Sequence, residues 1–431
     1  MKRLFAIILA VILCATLAAG AVAEESEKVE LNYFTWEDED VYAQAVVEAY
    51  NASQDKIHVN YTSFSSMDQE YWTKILVMMA AREDVDVVGV NAVTDYVNFC
   101  NKGVLAPLND LIEESGFDMS GYGALTDQFG IVQDDGSVTY YALPHRAGAY
   151  CVFVNKTLFE AAGLEVPYDG WTWEEFIDMT QKMTLVREDG TQQWGSAPRG
   201  LCVNTPAFGA ILHGQSLVGD DISHFRDGME ILNQLLVEKK SSPSYTELYQ
   251  NPSAVTAGNF QAGVLACHIL GDWGVTNMKR YEREGTMDPS VDWDVVPLPH
   301  FEDMESGITY GSAVMTGITS YTEKKAEAFD FLKFLCGPEG AKIIAANGTR
   351  PGYMNEEVRQ AYLDLDPELN LKAFTDATVM AESLPHPAAN DVQQVAIAQT
   401  ELYLIGEKDL DTMMADLETE RLAAIENATN Y

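Results

Sequence analysis

The sequence predicts an α/β fold in which parallel strands alternate with helices along the N-terminal third. Strand-like segments lie at 29–34, 56–61 and 85–90, and apolar residues recur at helical spacing between them, at 39–51 and 71–79. Strands separated by helices of about 10–15 residues favour parallel α/β units. The length of 431 residues favours about two to three domains. No clean linker separates the units, so we expect lobes that are each built from more than one chain segment.

The middle of the chain continues this pattern. A short strand at 138–143 is expected to end before Pro144, and an apolar strand follows at 149–154. Residues 155–162 fit a helix that Gly163 ends.

Further helices follow from local signals. Thr172 and Glu175 form a capping box, in which each side chain accepts a hydrogen bond from the other residue's amide, ahead of a helix at 174–185. Two prolines favour extended backbone over 295–299, because each restricts the residue before it. Other helices are expected at 224–239, 324–335 and 409–428.

Acidic residues greatly outnumber basic ones. There are 66 Asp and Glu against 27 Lys and Arg, which gives a formal net charge of −39. Nucleic-acid binding depends on Lys and Arg that neutralise phosphates, and docking on anionic lipid also depends on basic residues. The composition therefore opposes both kinds of partner. It leaves a cationic solute, such as a polyamine or a basic peptide, open as a ligand.

The first 23 residues have the composition of a secretory signal peptide. Lys2 and Arg3 precede an apolar stretch at 4–19, and small residues at 21–23 come before a pair of acids. The apolar stretch is shorter than the roughly 20 residues that a membrane span needs. A lipid anchor on Cys14 is not expected, because bulky residues directly precede it. We therefore expect an exported protein that is periplasmic or at the cell surface.

Motifs of the common enzyme classes are absent from the sequence. It contains no GxxxxGK[ST] loop, HExxH motif or GxSxG elbow. The seven histidines are dispersed, so no metal site, cofactor or catalytic residue is expected. The cysteines after the leader are odd in number and widely spaced, which favours buried free thiols. A secreted carbohydrate-active hydrolase stays an alternative, since the many carboxylates could supply the pair that it needs.

Several short segments occur in an order that is typical of one transport family. They are YFTW at 33–36, DVDVV at 84–88, GVLAPL at 103–108, YYALP at 140–144, VNKTLF at 154–159, WTWEEF at 171–176, GDW at 271–273, VPLP at 296–299 and GTRP at 348–351. In this order they resemble the carbohydrate-binding family of extracellular solute-binding proteins of ABC importers. The missing lipobox and the tail after residue 360 depart from the family pattern.

The resemblance implies a two-lobed, periplasmic-binding-protein-like fold of type II, each lobe a mostly parallel sheet flanked by helices. The ligand would lie in the cleft between the lobes, and hinge closure around it is the expected motion. The membrane subunits of an ABC importer would recognise the closed form, and the protein is expected to be a monomer. The expected segments are a leader at 1–23, first-lobe segments at 24–144 and 309–351, and second-lobe segments at 145–308 and 352–431.

A sugar presents apolar C–H faces and a ring of hydroxyls. Its site therefore needs aromatic rings for stacking and a few convergent polar groups for hydrogen bonds. Candidates for these roles follow the ends of predicted strands, lie on the passages between lobes or match the family's motifs. They are Trp36, Glu37, Asn91, Asp95, His145, Arg146, Phe208, Trp273, Tyr310, Gly311 and Arg350.

Most of these candidates have a plainer structural alternative. Glu37 could simply favour a helix N-terminus, and Asp95 could cap a helix. Arg146 could pair with one of the abundant acids, and Phe208 could belong to the core. Trp273 resembles a tryptophan of the family's cleft.

The sequence thus favours an exported protein that binds a sugar or oligosaccharide and delivers it unchanged to an ABC importer. Three alternatives stay open: the same fold with a cationic solute, a carbohydrate-active hydrolase, and a scaffold or adhesin.

Overall fold

The computed structural model describes residues 28–65, 70–133 and 135–429. The predicted signal peptide at 1–23 and Cys14 lie outside the described residues. The strands are β1 Val29–Trp36, β2 Ile57–Phe64, β3 Val87–Val90, β4 Gly130–Val132, β5 Val138–Tyr140, β6 Ala142–Ala147, β7 Tyr150–Asn155, β8 Leu185–Val186, β9 Gln192–Ala197, β10 Leu265–Gly271, β11 Trp293–Val296, β12 Ile308–Gly311, β13 Ala313–Ile318 and β14 Thr378–Ala381.

Helices connect most of these strands. They are α1 Asp40–Ser53, α2 Glu70–Ala81, α3 Val93–Asn101, α4 Asn109–Ser115, α5 Thr126–Phe129, α6 Lys156–Ala161, α7 Trp173–Lys182, α8 Phe208–Leu212, α9 Phe225–Asn233, α10 Tyr245–Gln250, α11 Asn259–Gln261, α12 Trp273–Glu284, α13 Lys325–Cys336, α14 Pro338–Ala346, α15 Glu356–Leu363, α16 Lys372–Thr375, α17 Ala389–Leu404 and α18 Leu410–Thr429. Short 3₁₀ turns lie at Glu37–Glu39 and Ser120–Leu125, and wider π-helical turns at Gly200–Asn204, Gln234–Glu238 and Ala254–Gly258.

Two five-stranded sheets define two lobes. The sheet of the first lobe has the order β2-β1-β3-β13-β6, and that of the second lobe has the order β11-β7-β10-β9-β8. In the first lobe, β1 pairs in parallel with β2 and β3, whereas β13 runs antiparallel to β3 and β6. Helices α1, α13 and α14 pack on this sheet, and α6, α7 and α12 pack on the second. Helices α2 and α3 also contact the strands of the first sheet, so helices are layered on the sheets as in other α/β folds.

The predicted two-lobed α/β architecture is confirmed, but neither sheet is mostly parallel: among the described residues, two of the four strand pairings in the first sheet and three of the four in the second are antiparallel. Strands β9 and β10 run in parallel, whereas β7 is antiparallel to β10 and β11, and β8 is antiparallel to β9. The reason is that β7 begins at the passage between the lobes and β10 returns to it. Tyr150 at the start of β7 is therefore paired with Gly271 at the end of β10.

The passages between the lobes differ from the expected boundaries. The first lies after Ala147, beyond the segment boundary at 144 but inside the crossing expected near 144–148, because β6 continues through that residue in the first sheet. The second, expected at 308, is occupied by β12, which pairs in parallel with β14 in a separate two-stranded sheet. The third follows Leu363 rather than 351, because α15 packs on α14, where Glu357 pairs with Lys342.

The strand predicted at 138–143 is divided between β5 and β6, and Pro144 lies inside β6. Strand β6 is at the edge of its sheet, where a residue without a backbone N–H is tolerated. The pairing register with β13 also shifts between Val314 and Met315, beside the proline.

Other local predictions are confirmed. The strands and helices of the N-terminal third occur within a few residues of their expected bounds. The capping box of Thr172 and Glu175 is present at the start of α7, and Gly163 follows α6 in a left-handed conformation, with φ at 67°. The cysteines of the described residues are free thiols, and all but Cys100 are buried.

The passages between the lobes, which we call the hinge, contain one position where only glycine fits. A Cβ on Gly311 would lie 1.8 Å from the carbonyl oxygen of Gly148, on the neighbouring passage between the lobes. Two passages can therefore lie side by side because Gly311 carries no side chain there. This explains the need for glycine at 311 without a direct role in ligand binding.

We predict that Gly311→Ala destabilises the protein by about 1–3 kcal/mol, the usual cost of overpacking, because the passages must separate. The matched control is Gly200→Ala, where a Cβ would lie at an ordinary distance of 3.8 Å from its nearest neighbour. Urea unfolding measures both variants. Equal stabilities for the two would contradict the assignment of a close backbone contact at the hinge.

Candidate ligand-binding cleft

A large cavity opens between the two lobes, beside the passages that connect them. Its volume is about 1120 Å³ including the open mouth, and we call it the main cavity. Polar uncharged side chains make up much of the lining: Asn91, Thr94, Asn204, Thr205, Ser216, Ser312, Ser383 and Gln393. The aromatic members are Tyr150 and Trp273, and the charged members are Arg146 and Glu382. A concave site with both apolar surface and convergent polar groups is suited to a small ligand.

Trp273 is held by an aromatic stack at the floor of the cavity. Tyr150 stacks on Tyr310 with ring centroids 4.4 Å apart and meets Trp273 edge-on at 5.4 Å. A Cβ on Gly271 would lie 2.0 Å from the indole, so glycine is needed for the ring to occupy this place. The indole is half-buried and reaches the main cavity, which leaves part of its surface available to a ligand.

Arg146 bridges the lobes electrostatically. Its Nη1 donates to Oε1 of Glu39 at 3.1 Å, its Nε lies 4.0 Å from Oδ2 of Asp272, and its guanidinium lies over the Trp273 ring at 5.6 Å. Burial acts to lower the pKa of Arg146, but the carboxylates of Asp272 and Glu39 outweigh it and raise the pKa above its usual value. Arg146 is therefore a fixed positive charge at the cleft.

Asp272 is fully buried at the start of α12. Its Oδ2 accepts a hydrogen bond from the amide of Arg350 at 3.0 Å. Burial raises the pKa of Asp272 above its usual value, although Arg146 acts in the opposite direction. Within the described part of the chain, neither Oδ1 of Asp272 nor Nε of Arg146 has a hydrogen-bond partner. The floor of the cleft thus keeps one unused acceptor and one unused donor near each other.

Glu382 supplies the opposite charge at the wall of the cavity. It follows β14 and accepts a short hydrogen bond from the hydroxyl of Thr205. Burial raises its pKa above the usual range. With one arginine and one glutamate among its described lining residues, the main cavity is electrically balanced, in contrast to the strongly acidic chain as a whole.

Two further cavities continue from the main one. A second cavity of about 730 Å³ shares Tyr150, Asn204 and Trp273 with it and also contacts Arg199 and His268. A third cavity of about 820 Å³ shares Thr94 and Ala389 and lies between α3 and the start of α17. Each of these two cavities therefore adjoins the main cavity at a different place.

Three of the predicted ligand-binding residues line the main cavity: Asn91, Arg146 and Trp273. Asn91 follows β3, at the end of the strand where α/β sheets collect ligands. Arg146 lies near the end of strand β6, just before the first passage, and Trp273 follows β10. Asp95 contacts the third cavity instead and accepts a hydrogen bond from the indole of Trp72 at 3.1 Å.

Other predicted residues are placed in the interior rather than at the cavity. Trp36 is 3% exposed and stacks on Trp72, and Phe208 is fully buried against Trp173. Tyr310 is also fully buried, because it lies beneath Tyr150. Their aromatic character signals the core here, where large rings bury the most area.

The remaining candidates have structural partners. His145 is fully buried and bonded to Glu39 at 2.7 Å, and Glu37 is exposed and accepts from Ser65 at 3.0 Å. Arg350 donates to the carbonyl oxygens of Phe374 and Ala147. Gly311 serves the hinge contact described above. None of these four belongs to the described lining of the main cavity.

Several lining residues were missed by the sequence analysis. Glu382, Ser383 and Gln393 lie in the tail that follows no family pattern, and Asn204 and Thr205 lie in a loop without a motif. Tyr150 carried a usable signal, because it begins the strand after the first passage.

Comparisons with known proteins bear on this arrangement. Residues 35–342 match the family described as bacterial extracellular solute-binding protein. The chain belongs to this family. In the described part of this solute-binding protein, no helix combines the length and apolar character needed to cross a bilayer.

Relatives of this solute-binding protein are known in sequence and in structure. It is 23% identical over 344 residues to the multiple sugar-binding protein of Streptococcus mutans, covering 75% of each chain. A sugar transporter structure from Rhizobium etli, in an open conformation, has 24% identity and a TM-score of 0.78, covering 92% of this chain and 99% of that one. An ABC substrate-binding protein from Listeria monocytogenes, in complex with cycloalternan, has 22% identity and a TM-score of 0.74, covering 93% and 99%.

His268 leads to a prediction about acid stability. It is buried, its Nδ1 has no partner within the described residues, and burial lowers its pKa to about 4. The usual pKa is about 6.5, so the unfolded chain takes up a proton that the folded protein does not. This contribution to the free energy of unfolding is therefore fully present above about pH 6.5. It is lost as the pH falls from about 6.5 to about 4, and the total loss is about 3 kcal/mol.

We predict that His268→Phe, which keeps a ring against Phe260, removes this loss. Urea unfolding of both proteins at pH 7 and pH 4 measures it, since carboxylate effects are shared and cancel in the comparison. The variant should gain about 3 kcal/mol relative to the parent between the two pH values. An unchanged difference would contradict the buried neutral imidazole.

Proposed function

We propose that this protein binds a sugar or oligosaccharide reversibly in the interlobe cleft and delivers it, chemically unchanged, to an ABC importer. The observation that carries the proposal is the balanced lining of the main cavity. The face of Trp273 suits the apolar C–H surface of a sugar, and the surrounding amides and hydroxyls suit its hydroxyl groups. Arg146 adds a charged donor at the cavity, and hydrogen bonds from a charged donor are stronger than those from a neutral one.

The comparisons support a carbohydrate as the ligand class. One relative is described as a multiple sugar-binding protein, and one neighbouring structure holds cycloalternan. Another neighbour holds mannotriose. These proteins share the two-lobed fold, and their ligands are saccharides of different lengths.

A cationic solute is less well supported. Such a ligand would need several carboxylates that face the cleft, but Glu382 is the one carboxylate among the described lining residues of the main cavity. The guanidinium of Arg146 would in addition repel a cation. The high acid content of the chain is therefore distributed elsewhere on its surface.

The same lining gives little support to a hydrolase. Glycosidases need two carboxyl groups on either side of the scissile bond, about 5–9.5 Å apart. Glu382 has no second carboxylate opposite it among the described residues of the main cavity. A non-enzymatic, monomeric carrier fits the family, with importer membrane subunits rather than nucleic acid as its macromolecular partner.

Location and export belong to the same proposal. The family is extracellular, and the predicted leader at 1–23 would direct this chain out of the cytoplasm. The mature protein would then work in the periplasm or at the cell surface.

The three adjoining cavities favour a ligand longer than one sugar ring. The second and third cavities adjoin the main one at different residues, the second at Trp273 and the third at Thr94. A monosaccharide would fill part of the main cavity alone, whereas a short oligosaccharide would extend beyond it.

We predict that Trp273→Ala weakens saccharide binding at least tenfold, about 1.4 kcal/mol, because the stacking surface is lost. A panel of saccharides is first screened by thermal shift, and the best ligand is then titrated by calorimetry. The matched control is Trp194→Ala, which removes a half-buried indole outside the three cavities. Equal affinities for the two variants would sink the role of Trp273.

We predict that affinity rises at least tenfold from a monosaccharide to the matching trisaccharide. Asn277→Trp fills part of the second cavity and Asn98→Trp part of the third. The higher affinity for the trisaccharide should disappear in whichever variant fills the cavity that the trisaccharide enters. The affinity for the monosaccharide should be retained in both variants. Affinity that is independent of chain length would limit the ligand to the main cavity.

A further inference from the structure

A second group of polar side chains lies in the second lobe, outside the three cavities. It consists of His213, His224, Asp227 and Asp303, and we call it the histidine cluster. The two imidazole rings stack with centroids 3.7 Å apart and an angle of 6° between their planes. One ligand atom from each of His213, His224 and Asp227 lies within 4.8 Å of the other two. These atoms are close enough to share an ion, but the lone pair of each ring nitrogen lies in the plane of its ring, so the stacked rings would have to rotate to direct both lone pairs to one ion.

The hydrogen bonds of the cluster fix where the ring protons lie. Nδ1 of His213 is 2.7 Å from the carbonyl oxygen of Gly209, and Nδ1 of His224 is 2.7 Å from Oδ2 of Asp227. Both partners accept, so each neutral ring carries its proton on Nδ1. The lone pair on Nε2 of each ring is then free to bind a metal.

Nε2 of His213 faces a second acceptor. Oδ1 of Asp303 lies 3.4 Å from it. A lone pair and a carboxylate oxygen repel each other unless a positive charge lies between them. Either a second ring proton or a bound cation satisfies this contact, and the two possibilities are separable by experiment.

We infer that the histidine cluster is a binding site for a divalent transition metal of the Zn²⁺ class. Imidazole nitrogen and carboxylate oxygen are the ligands that Zn²⁺ takes in proteins. Metal-binding histidines commonly donate their other ring N–H to a carbonyl or carboxylate, which orients the ring. Gly209 makes this contact for His213 and Asp227 makes it for His224, so in this arrangement Asp227 orients a ring and does not bind the ion. Asp303 supplies a carboxylate beside Nε2 of His213.

The cluster lies at both ends of a segment that reaches the cleft. His213 directly follows α8 and His224 directly precedes α9, and Ser216, Leu217 and Val218 between them line the main cavity. Asp303 comes from the chain that leads to β12. A bound metal would therefore connect both ends of the segment between His213 and His224 to the chain around Asp303, which leads to β12 and the passage between the lobes. The metal site itself does not depend on the nature of the cleft ligand.

The test is calorimetric titration of tag-free protein with Zn²⁺ in a buffer that does not chelate metals. We expect one ion per chain with micromolar or tighter affinity, and no heat from Mg²⁺, which prefers oxygen ligands. His213→Gln and His224→Gln should each weaken Zn²⁺ binding at least tenfold. His58→Gln is the matched control, since it removes a half-buried histidine from β2 in the first lobe, and it should bind as the parent does.

Folding of each variant is checked by thermal unfolding. Asp303→Asn provides a further variant, because this side chain is 67% exposed and its replacement does not disturb the core. It should weaken Zn²⁺ binding while the fold is retained. Millimolar affinity, several equivalent sites on the acidic surface, or binding unchanged in His224→Gln and Asp303→Asn would each overturn the inference and assign the contact to a protonated His213.

Discussion

Arg146 lies between two buried carboxylates that belong to different lobes, Glu39 and Asp272. Removing one partner from a buried ion pair typically costs about 3–5 kcal/mol, because it leaves an unpaired charge in the interior. Each lobe therefore supplies one of the carboxylates that compensate the buried charge of Arg146. The guanidinium also lies against Trp273, so this interaction fixes the stacking surface as well.

The backbone at the hinge is arranged to permit this contact. Gly311 lets two passages lie directly beside each other, which brings the end of β6 close to the end of β10. The antiparallel direction of β7 and β10 then places Tyr150 and Trp273 at the same edge. The aromatic contact of Tyr150 with Trp273 and the ion pair of Arg146 with Asp272 both depend on these strand directions.

The sequence predicted the local elements better than the site. Regular apolar spacing and capping signals, such as the pair of Thr172 and Glu175, depend on neighbours in the chain and can be read directly. The cleft depends on contacts between distant segments. Trp36 and Trp273 both follow a strand, yet Trp36 turns into the core because α2 covers it, whereas Gly271 gives Trp273 room at the edge.

The wall that carries Glu382, Ser383 and Gln393 comes from the last sixth of the chain. It returns to the cleft through β14, which pairs with β12 about 70 positions earlier in the sequence. A polypeptide emerging from its N-terminus would thus hold an incomplete groove until β14 is available. Molecules that lack the C-terminal segment, whether nascent or proteolysed, would therefore lack one wall of the cleft and would be unable to retain a ligand.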